Sequence, residues 1–139
     1  MTHRDEFQAL LRSRYLNLET FRRNGTGVRT PVWFAHDSGT TRPDGRAALY
    51  VYSNQRTGKL KRLRHTARVR IARCSIGGTL KGRWFETRAR VLDDPIEQQH
   101  ALGVLQKRYG LLMRLAGWAA AVVGRLGERR VIRIEMPIV

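Results

Sequence analysis

Residues 15–35 read YLNLETFRRNGTGVRTPVWFA, two alternating apolar stretches joined by an Asn-Gly pair. In the first stretch every second residue from Leu16 to Thr20 falls on one side of an extended chain, because side chains alternate across a strand. Asn24-Gly25 is a strong signal for a tight turn between antiparallel strands. The second strand is predicted at 28–35, with an edge or an interruption at Pro31, which cannot donate a ladder hydrogen bond. The stretch therefore predicts a β-hairpin.

The rest of the chain extends this hairpin into a small barrel. Further strands are predicted at 47–53, 68–74, 83–92 and 131–136; helices at 4–13, from Thr57 to about 66, from Asp94-Pro95 to a bend at Gly110, and at 111–124; and a long turn at 37–46. The helix after Asp94 should bury Ile96, Leu102, Leu105 and Tyr109. About six antiparallel strands with flanking helices predict a mainly β, single-domain protein over residues 1–139, not a parallel doubly wound sheet.

Charge is the outlier of the composition. The 139 residues include 27 Lys plus Arg against 11 Asp plus Glu, a formal net charge of +16, with an ordinary hydrophobic share of 42%. Such a field attracts anions: nucleic acid, an acidic membrane surface, or a small molecule that bears phosphate or carboxylate. Much of this charge also has a plain interpretation as solvated surface, and Glu86 is expected in a surface ion pair among Arg88 and Arg90.

The sequence contains no recognisable catalytic or metal-binding motif. Cys74 is the only cysteine, which excludes an internal disulfide and favours a small core residue. The four histidines share no metal-ligand spacing and are expected on the surface or in loops. The start lacks the pattern of a signal peptide, and the apolar run Leu115–Gly124 is too short to cross a bilayer, so a cytoplasmic location is the expectation. An enzyme with this sequence would depend on a cofactor for its chemistry.

Two segments are candidate sites. In YSNQRTGKLKRLR (52–64) a strand ends and a helix begins at Thr57-Gly58-Lys59, where unpaired N–H groups, a hydroxyl and a full charge favour phosphate. From these residues alone, a capped helix with a solvated basic face is the stronger interpretation. In TPVWF (30–34) the proline leaves neighbouring strand groups for a planar heterocycle, although a strand whose Trp33 and Phe34 fill the core is again the stronger interpretation.

At these segments the chain resembles the pyridoxamine-5′-phosphate-oxidase-like (PPOX class) superfamily of split β-barrel flavoproteins. Within it, the sequence is most similar to small bacterial oxidoreductases that use the deazaflavin coenzyme F420. The matching pieces occur in the family's order: YLNLETFRRNGTGVRTPVWF (15–34), LYVYSN (49–54), GKLKRLRHTARVRIARC (58–74), WFETRARVLDD (84–94) and KRYG (107–110).

The resemblance implies an FMN-binding-type split β-barrel that forms a homodimer with the cofactor at the interface. It implies an F420-dependent oxidoreductase that transfers a hydride between the deazaflavin and a small organic substrate. In the family, the strand matching Thr30, Pro31, Val32 and Trp33 runs along the ring. The residues matching Tyr52, Ser53, Thr57, Gly58 and Lys59 hold the phosphate, and the strand around Trp84 approaches from the other subunit in some members.

Three alternatives stay open. FMN is the first, because its phosphate is also anionic, although the acidic tail of F420 suits the positive charge. A basic nucleic-acid-binding barrel with Trp33, Tyr50, Tyr52 and Trp84 as stacking residues ranks behind both, since the cations are spread over the chain and no nucleic-acid motif is recognisable. A non-catalytic carrier of a planar anion is the last.

Overall fold

The structure, a computed structural model, describes residues 2–39, 45–54, 58–122 and 129–138. The helices of this part of the chain are α1 (His3–Arg12), α2 (Gly58–His65) and α3 (Pro95–Val122), and the strands are β1 (Tyr15–Phe21), β2 (Gly27–Asp37), β3 (Ala48–Asn54), β4 (Arg68–Cys74), β5 (Phe85–Val91) and β6 (Arg129–Glu135). Thr57, residues 40–44 of the predicted long turn and residues 123–124 of the last predicted helix lie outside the described residues.

The six strands close into one antiparallel barrel with the order β1-β2-β3-β6-β5-β4. The predicted hairpin is confirmed: β1 pairs with β2 from Tyr15↔Trp33 to Phe21↔Gly27. In the turn, the Arg22 N–H donates to the Thr26 carbonyl at 2.9 Å, and Gly25 has φ = 88°, a left-handed value that favours glycine. The mainly β fold with flanking helices is therefore as the sequence predicts.

The barrel interior is filled by the alternating residues of the strands, and short helices cover its two ends. Phe7 and Leu10 of α1 pack at the end where β1 begins, and the Phe7 ring meets Phe85 edge-on at 5.3 Å. Leu60 and Leu63 of α2 pack into the same core at the opposite end. Burying these side chains stabilises the fold by roughly 1.5–3 kcal/mol each.

The longest helix, α3, packs on the outside of β2 and β3. Ala101 and Leu105 are buried there against Tyr50, and Gly110 bends the helix with φ = 49°, as predicted. The prediction for Ile96 is wrong, because its side chain is 76% exposed. The first turn of α3 lies before the buried part of the helix, which begins at Ala101.

The histidine of α3 also differs from its prediction as a surface residue. His100 Nε2 lies 2.7 Å from Asp37 Oδ2 at the end of β2, and its ring meets the Tyr50 ring edge-on at 6.2 Å. Asp37 Oδ1 in turn accepts the Gly39 N–H. This contact ties α3 to the end of β2.

A buried carboxylate holds the outer face of the hairpin to β4. Glu19 is 4% exposed and accepts hydrogen bonds from Arg29 Nε at 3.0 Å and Arg70 Nε at 2.6 Å. Burial alone would raise the pKa of Glu19, but the two guanidinium groups outweigh burial and lower it. A Cβ at Gly27 would lie 2.7 Å from the Glu19 carboxyl carbon, so only glycine leaves room for this carboxylate.

Two smaller predictions can be compared with the structure. Cys74 is buried, as predicted, and burial raises the pKa of its thiol. Glu86 forms a surface ion pair, as predicted, and its partner is Arg68 Nε on the neighbouring strand at 2.5 Å. No described helix is both long and apolar enough to span a bilayer. The described residues contain no cluster of His, Cys, Asp or Glu that could hold a metal ion.

Candidate functional site

The closed barrel has one stretch between β2 and β3 where the two strands do not pair within the described residues. Their ladder runs from Asp37↔Ala48 to Phe34↔Val51 and ends there within the described residues, although both strands continue. Beyond this point β2 pairs with β1, and β3 pairs with β6 as far as Asn54↔Arg129. The resulting split has residues 30–33 on one side and residues 52–54 on the other, which are the segments that the sequence singled out.

A buried cation lies where β3 leads into α2. Lys59 is 8% exposed, and its Nζ donates to the Ser53 Oγ at 3.3 Å. Within the described part of the chain no carboxylate lies within ion-pairing distance of Lys59. Burial, and secondarily the charge of Arg62, lowers the pKa of Lys59. A buried ammonium group without a carboxylate partner is costly, and a bound anion would offset that cost.

A second cation comes close to the start of α2. A Cβ at Gly58 would lie 2.6 Å from Arg62 Nη1, so the missing side chain leaves room for the guanidinium group. The Arg62 Nε donates to Thr20 Oγ1 at 2.6 Å, which fixes its orientation. The start of α2 therefore brings two positive side chains, those of Lys59 and Arg62, close to N–H groups of the kind that favour anions.

A basic cleft of about 500 Å³ adjoins this helix start. Its lining is Phe21, Arg22, Arg23, Gly58, Lys61, Arg62 and His65. Burial, and then the nearby charge of Arg22, lowers the pKa of Arg62. The sequence predicts a basic face on α2. Only the folded barrel brings the Arg22-Arg23 turn close to this face.

On the β2 side of the split, the predicted ring-flanking residues alternate. Val32 is buried in the barrel, whereas Trp33 is 44% exposed, so Trp33 does not fill the core, and Phe34 does. The ring of Pro31 lies against the 75–80 loop, 3.7 Å from the position of a Cβ at Gly78. Thr30 is partly exposed, and Pro31 lies in the part of β2 that pairs with β1 alone, as its missing N–H predicts.

One set of strand groups next to this wall already has a partner. The Tyr109 hydroxyl accepts from the Phe34 N–H at 2.9 Å and also donates to the Phe34 carbonyl. Its ring stacks on Trp33 with centroids 5.2 Å apart and planes 22° apart. The backbone of Phe34 is thus engaged by the protein itself, and residues 30–33 are the part of β2 left to flank a ligand.

Trp84 lies elsewhere in this chain. The guanidinium groups of Arg29 and Arg70 both lie over its ring, with their central carbons 4.8 and 4.7 Å from the ring centroid. The structure therefore brings Ser53, Gly58 and Lys59 together and places Tyr52, partly buried, beside them on β3. Trp84 lies beside Arg29 and Arg70, the two arginines that bind Glu19.

Another cleft lies at the end of the barrel where β1 begins, and no pattern in the sequence predicts it. It has a volume of about 340 Å³ and is lined by Arg12, Arg14, Tyr15, Trp33, Arg108 and Tyr109. Arg108 and Tyr109 belong to KRYG (107–110), which the sequence indicates only as a piece that matches the family and not as a site.

Solved structures share this architecture. HutZ, the haem storage protein from Vibrio cholerae, superposes with a TM-score of 0.65 at 13% identity, covering 100% of this chain and 92% of its own. An FAD-binding protein from Mesorhizobium loti gives 0.59 at 17% identity, covering 99% and 91%. A candidate pyridoxamine 5′-phosphate oxidase from Listeria innocua gives 0.60 at 16% identity, covering 96% and 91%.

The sequence matches no protein-family model and no curated protein. The likeness is thus one of three-dimensional structure, and it shows that the chain has the split β-barrel fold of these structures.

Proposed function

We propose that the split between β2 and β3 binds a phosphate-bearing tricyclic redox cofactor, coenzyme F420, and that the protein is an oxidoreductase acting on a small organic substrate. The buried Lys59–Ser53 pair is the observation that carries this proposal, because the site holds a desolvated positive charge that an anion would complete. Lys59, Ser53 and Gly58 would hold the phosphate, and Thr57 and Tyr52 belong to the same segment.

The ring would lie along residues 30–33, with Trp33 and Pro31 beside it. The bound cofactor would supply a hydride when reduced and accept one when oxidised. The chain's own contribution would be to anchor the phosphate, to orient the ring along the strand and to exclude water from it.

The basic cleft favours F420 over FMN. F420 carries an acidic tail beyond its phosphate, and the cleft beside Gly58 offers Arg22, Arg23, Lys61 and Arg62 to such carboxylates. FMN has no group to place there, so it is the alternative cofactor on the same fold. An assembly of two chains, with the cofactor between them and Trp84 contributed by the partner, is part of the proposal, as is the cytoplasmic location.

Fluorescence titration tests the proposal. Adding micromolar protein to F420, and separately to FMN, should change the cofactor emission, with tighter binding for F420. Lys59→Ala should weaken binding about tenfold to a hundredfold, the range for loss of one charge-assisted contact of ~1.5–3 kcal/mol. Lys107→Ala is the matched control, because it removes the same charge from an exposed position on α3. Unaltered emission of both cofactors would refute the proposal.

A carrier function is a second candidate, since one structural neighbour is a haem storage protein. Turnover separates the two functions. An oxidoreductase should oxidise reduced F420 faster in the presence of an electrophilic substrate than in its absence, whereas a carrier should bind F420 without this acceleration.

A further inference from the structure

The cleft at the start of β1 combines planar aromatic walls with positive charge. Among the residues that the structure describes, its lining consists of three guanidinium groups and three rings, those of Arg12, Arg14, Arg108, Tyr15, Trp33 and Tyr109, and includes no carboxylate. Its volume of about 340 Å³ lies within the range of small-molecule sites.

The aromatic walls are held in place before any ligand arrives. The Tyr109 hydroxyl is fixed on the backbone of Phe34, and its ring stacks on Trp33. Tyr15 faces Trp33 across the first pair of the β1–β2 ladder, with ring centroids 6.4 Å apart. Arg108 is fixed as well, because its Nη2 donates to the Ser13 carbonyl at 2.5 Å. Preorganised walls reduce the entropy that binding must otherwise offset.

The charges of the cleft are available to a ligand. Arg12 and Arg14 are exposed, and neither forms an ion pair within the described residues. Burial raises the pKa of Tyr109, and the nearby positive charges of Arg108 and Arg14 act in the opposite direction. Both charges are therefore felt at the aromatic wall itself.

The cleft and the basic helix start lie at opposite ends of the β1–β2 ladder. Tyr15↔Trp33 is the first pair of this ladder and Phe21↔Gly27 is the last, so about 20 Å of strand separates them. Trp33 belongs both to the split and to this cleft. A cofactor anchored near Lys59 would thus extend its ring along β2 toward the aromatic cleft.

We infer that this cleft binds a planar aromatic carboxylate, which is the substrate of the proposed oxidoreductase. The ring would stack against Trp33 and Tyr15, and the carboxylate would pair with Arg12 and Arg14, whose guanidinium groups match its two oxygens. That this ligand is the substrate rests on the proposed function, whereas the binding of an aromatic carboxylate in this cleft does not.

Isothermal titration calorimetry of the purified chain with 2-naphthoate, and with the uncharged 2-naphthamide, tests the inference. Naphthoate should bind at least about tenfold more tightly than the amide, because one charge-assisted contact is worth about that factor. Arg12→Gln with Arg14→Gln should reduce naphthoate affinity to that of the amide. Trp33→Leu should weaken both ligands, since it removes the stacking surface but keeps an apolar side chain.

Arg22→Gln with Arg23→Gln is the matched control, because it removes the same two charges at the other end of the barrel and should leave naphthoate affinity within about twofold. Equal affinity for acid and amide, or equal losses in the two double variants, would overturn the inference. Circular dichroism of each variant verifies that it is folded.

The same titration in saturating F420 or FMN separates the two proposals. Naphthoate that still binds to the loaded protein supports a substrate site, whereas naphthoate that competes with the cofactor would refute the substrate role. Naphthoate binding by a protein that takes up neither F420 nor FMN would leave the cleft established and the proposed function refuted.

Discussion

Tyr109 of α3 bonds to both backbone groups of Phe34 in β2, 75 residues away in the chain. Phe34 is the first residue of β2 beyond the β1 ladder, which ends at Tyr15↔Trp33. The Tyr109 hydroxyl thus forms hydrogen bonds with β2 at the residue where β2 is no longer paired with β1. The same contact holds the Tyr109 ring against Trp33, so it supports both the barrel wall and the aromatic cleft.

Removing this hydroxyl should destabilise the fold. Tyr109→Phe leaves the N–H and carbonyl of Phe34 without their partner, and we expect a loss of about 1–3 kcal/mol in the free energy of unfolding. Urea denaturation measures the change. Tyr15→Phe is the control, because the Tyr15 hydroxyl makes no hydrogen bond within the described residues, and it should change stability by less than about 0.5 kcal/mol. Equal losses in the two variants would contradict the assigned role.

The ion pairs of Glu19 with Arg29 and Arg70 should make the free energy of unfolding depend on pH in the acid range. The pKa of Glu19 is lowered in the folded protein, so its stabilising contribution is complete above the ordinary carboxyl pKa and is lost as pH falls through the lowered value. Glu19→Gln should cost about 1–3 kcal/mol at pH 7, because it weakens the bonds to Arg29 and Arg70.

This cost should shrink as the pH is lowered from 5 toward 2, and denaturation series of both proteins across that range measure it. Glu86→Gln is the control, since the exposed pair with Arg68 should contribute at most about 1 kcal/mol. A difference between wild type and Glu19→Gln that does not vary with pH would show that the carboxylate charge is not responsible.

The barrel could be predicted from sequence because its information is local. Alternation in 15–35 and 68–74, together with the Asn24-Gly25 turn, defines strands whose inward residues follow directly from the period of two. The candidate segment 58–59 could be singled out for the same reason, since the strand end and the helix start are neighbours along the chain. The period places Trp33 and Phe34 on opposite faces of β2, but it does not indicate which face is inward, because all of TPVWF is apolar or small.

The remaining features depend on closure of the barrel. Glu19 meets Arg70 across 51 residues, and Tyr109 meets Phe34 across 75, so neither pair has a signature of spacing. Ile96 shows a related limit, because helical periodicity marks a face but not the point along α3 at which burial begins. The aromatic cleft joins α1, β1, β2 and α3, and no single segment indicates it.

We expect Lys59 to destabilise the fold and to bind an anion. The pKa of Lys59 is lowered in the folded protein, so its charged form destabilises the fold. This destabilisation disappears as the pH rises from the lowered pKa of Lys59 to the ordinary lysine pKa. Lys59→Met should therefore leave stability at pH 7 unchanged or raise it by about 1 kcal/mol. Thermal denaturation with and without about 10 mM inorganic phosphate measures the stability of each protein and the change in stability on anion binding.

Phosphate should stabilise the wild type and not Lys59→Met, and its effect on the wild type should weaken at alkaline pH as the ammonium group loses its proton. Lys107→Met is the matched control, because this exposed lysine carries the same charge without the burial. Loss of stability in Lys59→Met at every pH would show that the ammonium group supports the fold rather than a ligand.

The basic cleft should distinguish the two cofactors. Arg22 and Arg23 are exposed in the hairpin turn and line the cleft beside Gly58, so Arg22→Gln with Arg23→Gln should leave the barrel intact. If carboxylates of the F420 tail bind there, this variant should lose at least about tenfold in affinity for F420 and little for FMN. Raising the salt concentration should weaken F420 binding more steeply than FMN binding, because more charges are paired. Parallel fluorescence titrations of both cofactors measure this, and equal losses for the two would assign the cleft to general attraction rather than to the tail.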